Sequence, residues 1–311
     1  MSTRVVEITV PSKQTDDLIA EIRDVQGLIG LRAQRNVSIQ PPGDVITVEM
    51  TNTGFHKLMR YLAHHNFASD SGVSMTTTVP LSVISHSSTK GILLGGSDIT
   101  WEEMAQLIGR ESNMTVNALI LMACAGIFAA VGLATNALHL VIAAMAIAPG
   151  FLPILRVALG VVAESQTWRH GVLHVAQGYI AMTASAAATA LVLRALGTPP
   201  LGGEATYLPE GVLINYWTTI TIPSLLVSAA ASVAGAVLMA TNRSVLTTAV
   251  MIALALVPAA SIVGMALVTG EVGLAGSALL RWIIEVGLVA GASLLVFAWK
   301  RSTVQQRKML L

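Results

Sequence analysis

The sequence predicts a two-part protein, a membrane all-α bundle of about six transmembrane helices preceded by a cytoplasmic α+β domain of the ferredoxin-like (βαββαβ) type. Three observations predict it. Of 311 residues, 54% are hydrophobic and 11% charged, where soluble domains carry about 25% charged residues. From Val116 onward, apolar runs of about 20 residues follow one another, each long enough to cross a hydrocarbon core of roughly 30 Å. Before them, residues 1–80 show strand and helix patterns in the order strand, helix, strand, strand, helix, strand.

Each element of the first domain has a local signal. Residues 4–11 alternate Val5, Glu7 and Thr9 against Val6, Ile8 and Val10, as in a half-buried strand, and Pro11 closes it. Thr15, Asp16 and Asp17 open a helix with an acidic first turn, and Leu18, Ile19, Ile22 and Val25 recur at helical spacing. A strand from Leu28 to Ile39 and another from Val45 to Met50 flank the turn residues Pro41, Pro42, Gly43 and Asp44, which predicts a hairpin. Phe55, Leu58, Met59 and Leu62 share one face of a second helix, and residues 73–79 are rich in strand formers.

This arrangement hosts enzymes, metal carriers, RNA binders and ligand sensors alike. A sensing or assembly role and a purely structural one both stay open. The predicted strands carry no Phe, Tyr or Trp, so the stacking platform of an RNA binder is missing and no nucleic acid is expected. His64 and His65 end the second helix, where imidazoles favour the negative end of the dipole, and no metal is expected there. The single Cys124 excludes an intrachain disulfide and reads as a small core residue.

Residues 81–114 read as a linker and an interfacial amphipathic helix. Ser97, Asp98 and Thr100 are candidate caps for a helix starting near Trp101, whose Met104, Leu107 and Ile108 line one side. Docking on the first domain is the alternative for that helix. The membrane domain, 115–299, is predicted to hold spans at 115–135, 137–162, 171–196, 213–240, 244–268 and 274–299, with a tail at 300–311.

Residues 1–30 show no cleavable signal pattern. Arg169, Arg243, Lys300, Arg301, Arg307 and Lys308 fall on one set of connections, and Glu204, Glu210 and Glu271 on the other. Both termini are therefore expected in the cytoplasm of a bacterial inner membrane, with Arg194 as the exception to the charge rule.

The spans carry a hidden repetition. Ala134, Thr135 and Asn136 end the first span, Ala240, Thr241 and Asn242 end the fourth, and a proline-bearing helix follows each. The next helices contain Pro149, Gly150 and Pro153 in one case and Pro258 with Ser261 in the other. A three-helix unit repeated once enters the membrane from opposite sides, as in many secondary transporters. Proline removes a backbone donor and leaves a carbonyl without its usual partner. Arg281 and Glu285 lie one helical turn apart on the last span, and a charge at mid-membrane demands a partner or a cavity. Arg156 and His174 sit toward inner helix ends, where snorkelling is the simpler role. The expected solute or ion pathway is Asn136, Pro149, Gly150, Pro153, Asn242, Pro258, Ser261, Arg281 and Glu285, with Pro149 and Pro258 as symmetry mates.

Arg110, Glu111 and Ser112, the segment from Ala143 to Pro153, and that from Ala253 to Gly264 around Pro258 resemble the bacterial membrane family known as domain of unknown function 389, an uncharacterised hydrophobic domain. The resemblance covers most of the chain. Between its two prolines the family tends to carry a Leu-Met-Gly stretch, and a paired proline in the later segment, where this chain has Gly150, Phe151 and Leu152, and Ala259 after Pro258. The family implies a polytopic membrane protein and no particular activity.

The leading expectation is a gradient-driven transporter or channel for a small solute or ion, whose cytoplasmic domain regulates or assembles it. The alternative is a non-transporting membrane receptor or signalling scaffold. No serine-hydrolase elbow, metalloprotease helix or paired intramembrane aspartate is present, so enzyme activity, catalytic residues and cofactors are not expected. Small residues at 184–188 and 228–236 permit close helix contacts, and a homo-oligomer is expected. The remaining partners are the lipid bilayer and a regulatory small molecule at the cytoplasmic domain.

Overall fold

The computed structural model describes residues 3–64, 73–80, 99–198, 211–241 and 246–305. Asn242, Arg243, Glu204, Glu210, His65, Ser97, Asp98, Arg307 and Lys308 lie outside the described residues. The chain divides into two compact units, Met1–Glu103 with Lys300–Leu311 and Met104–Trp299.

In the first unit the order is β1 (Thr3–Val10), α1 (Thr15–Arg23), β2 (Leu28–Ile39), β3 (Pro42–Thr51), α2 (Asn52–His64) and β4 (Ser74–Thr78). The strands form one sheet in the order β2-β3-β1-β4, with every neighbouring pair antiparallel. Alternation sets which side chains turn inward. Val6, Ile8 and Val10 of β1 and Ile46, Val48 and Met50 of β3 meet Leu18 and Ile22 of α1 and Phe55, Leu58, Met59 and Leu62 of α2 in one buried core.

Two buried charges pin this unit. Asp44, expected only as a turn residue, is fully buried and accepts hydrogen bonds from Ser12 Oγ (2.7 Å), Thr15 Oγ1 (2.8 Å), Arg35 Nη1 (2.9 Å) and the Asn36 N–H (2.9 Å). The Asn36 N–H and the Ser12 hydroxyl are foremost in holding its carboxyl well below the usual carboxylate range. Arg4 donates to Asn52 Oδ1 (3.1 Å), lies over the Phe55 ring and pairs with Glu103. Burial lowers its pKa, and Glu103 opposes the shift.

The chain continues with α3 (Trp101–Ser112), α4 (Val116–Ala134), α5 (Leu138–Ile147), α6 (Phe151–Val162), α7 (Thr167–Ala195), α8 (Val212–Thr218), α9 (Ile222–Ala240), α10 (Thr247–Ala253), α11 (Leu256–Thr269) and α12 (Val272–Lys300). Thr100 caps α3 reciprocally with Glu103, each bonding the other's backbone N–H. Glu103 also pairs with Arg4, and Trp101 is buried, so the start of α3 belongs to the first unit.

Among the described residues, four helices are long and apolar enough to cross a membrane, and the number rises to six if the bent pairs α5 with α6 and α10 with α11 each count as one span. The bends are 41° and 48°. Two expected spans are thus broken. A third, 213–240, is interrupted at 219–221, where Thr221 and Ser224 form a capping box and Pro223 stands in the first turn of α9.

Candidate functional site

The two breaks share one physical cause. Pro153 and Pro258 are each the third residue of the helix after the break, a first-turn position that needs no intrahelical donor. A proline ring clashes with the carbonyl four residues earlier. Those residues are Pro149 and Leu254, and both lie in the breaks. Pro149 adds a second interruption, because it has no N–H to give the Met145 carbonyl.

Relative to its break, Pro258 therefore holds the position of Pro153, not that of Pro149, with which the sequence reading matched it. The reason is that Pro149 stands in the gap while Pro258 stands in a helix. Residue spacing agrees, since α4 and α9 begin 106 residues apart and α7 and α12 begin 105 apart. α4 and α9 each have 19 residues, and α7 and α12 each have 29. At the ends of α4 and α9, Thr135 and Thr241 each bond the carbonyl four residues back, Val131 and Val237. Asn136 follows with a left-handed backbone, φ 49°, and its Oδ1 accepts the Leu213 N–H at 3.4 Å.

A polar cluster forms where α9, α12 and the second break meet. Glu285 is fully buried and Arg281 4% exposed, and they pair at 2.6 Å. Ser228 Oγ donates to Glu285 Oε1 at 2.6 Å, and Arg281 Nη1 donates to Ser224 Oγ at 2.8 Å. The Ala255 backbone N–H, in the second break, faces the Glu285 carboxylate. Glu285 thus acts on the start of α11, where a helix exposes unpaired N–H groups and favours negative charge.

The first break has its own side chain from α7. A Cβ built on Gly150 would stand 2.6 Å from Tyr179 Oη, so glycine is what lets the buried tyrosine reach this break. Tyr179 also packs edge-on against Trp282 with ring centroids 5.0 Å apart. Four residues beyond Tyr179 on α7, Thr183 Oγ1 donates to the Ala260 carbonyl of α11 at 3.3 Å. The first break and the helix that follows the second thus sit against the same short stretch of α7. α10 packs against α5, so the two broken pairs also touch each other.

Of the expected pathway residues, Arg281 and Glu285 form the cluster, Gly150 stands against Tyr179, whose ring packs on Trp282 next to Arg281, and Pro258 is buried in α11. Pro153 is buried in α6, and Ser261 Oγ is buried on α11 with no hydrogen-bond partner among the described residues. Asn136 sits apart, at the end of α4. Ser224, Ser228, Tyr179 and Trp282 were not singled out from sequence. Ser228 and Glu285 are 57 residues apart, and no local pattern links them.

Two cavities lie among these helices, the smaller of them bordering the first break. One of about 500 Å³ between α7, α11 and α12 is almost wholly apolar, with Tyr179, Thr183 and Trp282 on its wall. Another of about 290 Å³ is bounded by Glu111, residues 146–149, Phe151 and Leu152, and by Thr247, Thr248 and Met251 of α10. Toward the other end of α6, Arg156 Nη1 donates to Asn113 Oδ1 at 2.7 Å and to Ser112 Oγ at 3.3 Å.

Residues 145–290 match the family model described as Domain of unknown function (DUF389). That stretch is a DUF389 domain. No match was found among curated proteins, and none among solved structures. The DUF389 match starts within α5 and ends within α12, so it takes in both breaks, Arg281 and Glu285. It leaves out Arg110–Ser112, α4 and the whole first unit, and so covers less of the chain than the sequence resemblance implied.

Proposed function

We propose that this chain is a gradient-driven transporter or channel for a small solute or ion. In this reading two inverted three-helix units, α4 to α7 and α9 to α12, cross a bacterial inner membrane with both termini in the cytoplasm. The observation that carries the reading is the buried Arg281–Glu285 pair, bonded to Ser228 and Ser224 and facing the α10–α11 break. An anchor has no use for an ion pair in hydrocarbon, whereas transporters place ionisable groups beside discontinuous helices. Equal helix lengths, matched threonine turns and matched prolines support the repeat. The strand order β2-β3-β1-β4 supports a ferredoxin-like domain, read here as regulatory or assembly-forming, in a homo-oligomer.

The test is flux into proteoliposomes carrying trapped pH-sensitive and potential-sensitive dyes, under imposed gradients of H⁺, Na⁺, K⁺ and Cl⁻. The wild-type chain is expected to dissipate at least one gradient, and Glu285→Gln to slow it about tenfold or more, because shape persists while the charge is lost. No flux of any of these ions, or equal flux in the variant, would favour a receptor that does not transport.

A further inference from the structure

We propose that His174 is a proton sensor, which fastens α7 to Arg156 of α6 and to the joint between α3 and α4 while its imidazole is neutral, and lets go when acid protonates it. Only its use, as a control on transport, rests on the transporter reading; the fastening itself does not.

The contact is built on Arg156. Its Nη1 lies 2.7 Å from Asn113 Oδ1, 3.3 Å from Ser112 Oγ and 3.4 Å from His174 Nδ1. A guanidinium has only hydrogens to offer, so Nδ1 takes part as an acceptor and the ring is neutral. Gly171, three residues before His174, lets α6 and α7 touch at this level. A Cβ there would stand 2.9 Å from the Val157 nitrogen and 3.0 Å from the Pro153 carbonyl oxygen.

Protonation fills the lone pair that Arg156 uses and sets two cations face to face. The surroundings do not offset the new charge. α4, α6 and α11 pack along α7. Of these, α6 brings Arg156, α11 brings no titratable residue and α4 brings only Cys124. On α7 itself His170, one turn before His174, adds to the repulsion. The Ser112 backbone carbonyl faces the ring and is the one group that favours the charged form. Among the described residues neither Arg156 nor His174 pairs with a carboxylate. Arg156 does not give up its own proton, so the imidazole is the partner that yields, and Arg156 keeps Ser112 and Asn113. Stabilisation by the contact is therefore full above about pH 6.5, ordinary for imidazole, and lost as the pH falls below it.

The experiment is thermal unfolding of the full chain in detergent at about pH 7.5 and about pH 5.5, at constant ionic strength. The wild-type midpoint is expected to fall with acid. His174→Gln, which keeps a neutral acceptor and a donor, is expected to remove roughly 2–4 °C of that fall. His170→Gln is expected to remove less, and Arg156→Met, which takes away the opposing cation, to flatten the same window.

Equal falls in the wild type and His174→Gln would overturn the sensor. Should that variant not fold, an undiminished fall in Arg156→Met would do the same. In proteoliposomes the pH dependence of flux over this window is expected to flatten in His174→Gln. Glu285→Gln separates the two proposals, because it is expected to lose flux and keep the wild-type fall in midpoint. A midpoint difference between wild type and His174→Gln without flux sinks only the transport reading, and flux without that difference sinks only the sensor.

Discussion

Arg281 and Glu285 stand one turn apart on α12, a spacing that on a surface helix contributes only a few tenths of a kcal/mol. Burial changes the arithmetic. Each ion has lost its water, so the pair is worth little in net terms but removing one partner leaves an uncompensated charge. Arg281→Met is therefore expected to destabilise the folded chain by about 3–5 kcal/mol, whereas Arg281→Met combined with Glu285→Met is expected to recover most of that loss. Melting in detergent checks it. If the double variant melted no higher than the single one, the pair would be holding the helices together rather than serving the site. Asp44 illustrates the same residue-scale rule in the first unit, where four donors, the Arg35 guanidinium among them, make a buried carboxylate tolerable.

At the scale of elements, the breaks are determined by what the neighbouring helix tolerates. Gly150 and Gly264 both face α7, but the obstacles differ. A Cβ at Gly150 would meet the Tyr179 hydroxyl at 2.6 Å, and a Cβ at Gly264 would meet the Thr183 backbone carbonyl at 2.2 Å. A hydroxyl can be removed and a carbonyl cannot. Gly150→Ala is expected to cost about 1–3 kcal/mol and to be largely rescued by Tyr179→Phe, while Gly264→Ala costs more and has no such rescue. Stability measurements on the three single variants and the rescue pair decide it, and a Gly150→Ala defect that persisted in the Tyr179→Phe background would remove Tyr179 from the first break.

At the scale of the whole membrane unit, the question is whether a bent pair crosses or turns back. A 41° bend leaves α5 and α6 running in much the same direction, and together they hold 22 residues. At about 1.5 Å per residue that is roughly 33 Å, enough for one crossing. The inverted arrangement then requires residues 166 and 302 on one side and residues 137 and 271 on the other. Single cysteines at Gln166, Ser302, Ala137 and Glu271, in a Cys124→Ala background, are expected to react with an impermeant maleimide in those two sets. Labelling of Ala137 and Gln166 from the same side would make α5 and α6 a re-entrant hairpin and remove the inverted symmetry.

What the sequence determined by itself was periodicity and length: the alternation of β1 and β3, the amphipathic α1 and α2, the apolar runs, and the Arg281–Glu285 spacing. These depend on neighbours within a few residues, and so a single chain displays them. The twin Ala-Thr-Asn turns are the local signal from which the proposed repeat was read. Only the tertiary structure decided which proline matches which. Proline acts on the carbonyl four residues earlier, and the position of the gap depends on which side the surrounding helices can accommodate. The partners of Glu285 were likewise invisible, since Ser228 and the Ala255 N–H reach it from other helices, 57 and 30 residues away in sequence. A buried charge announces in sequence that it needs company, while the packing of helices far apart in the chain chooses which groups supply it.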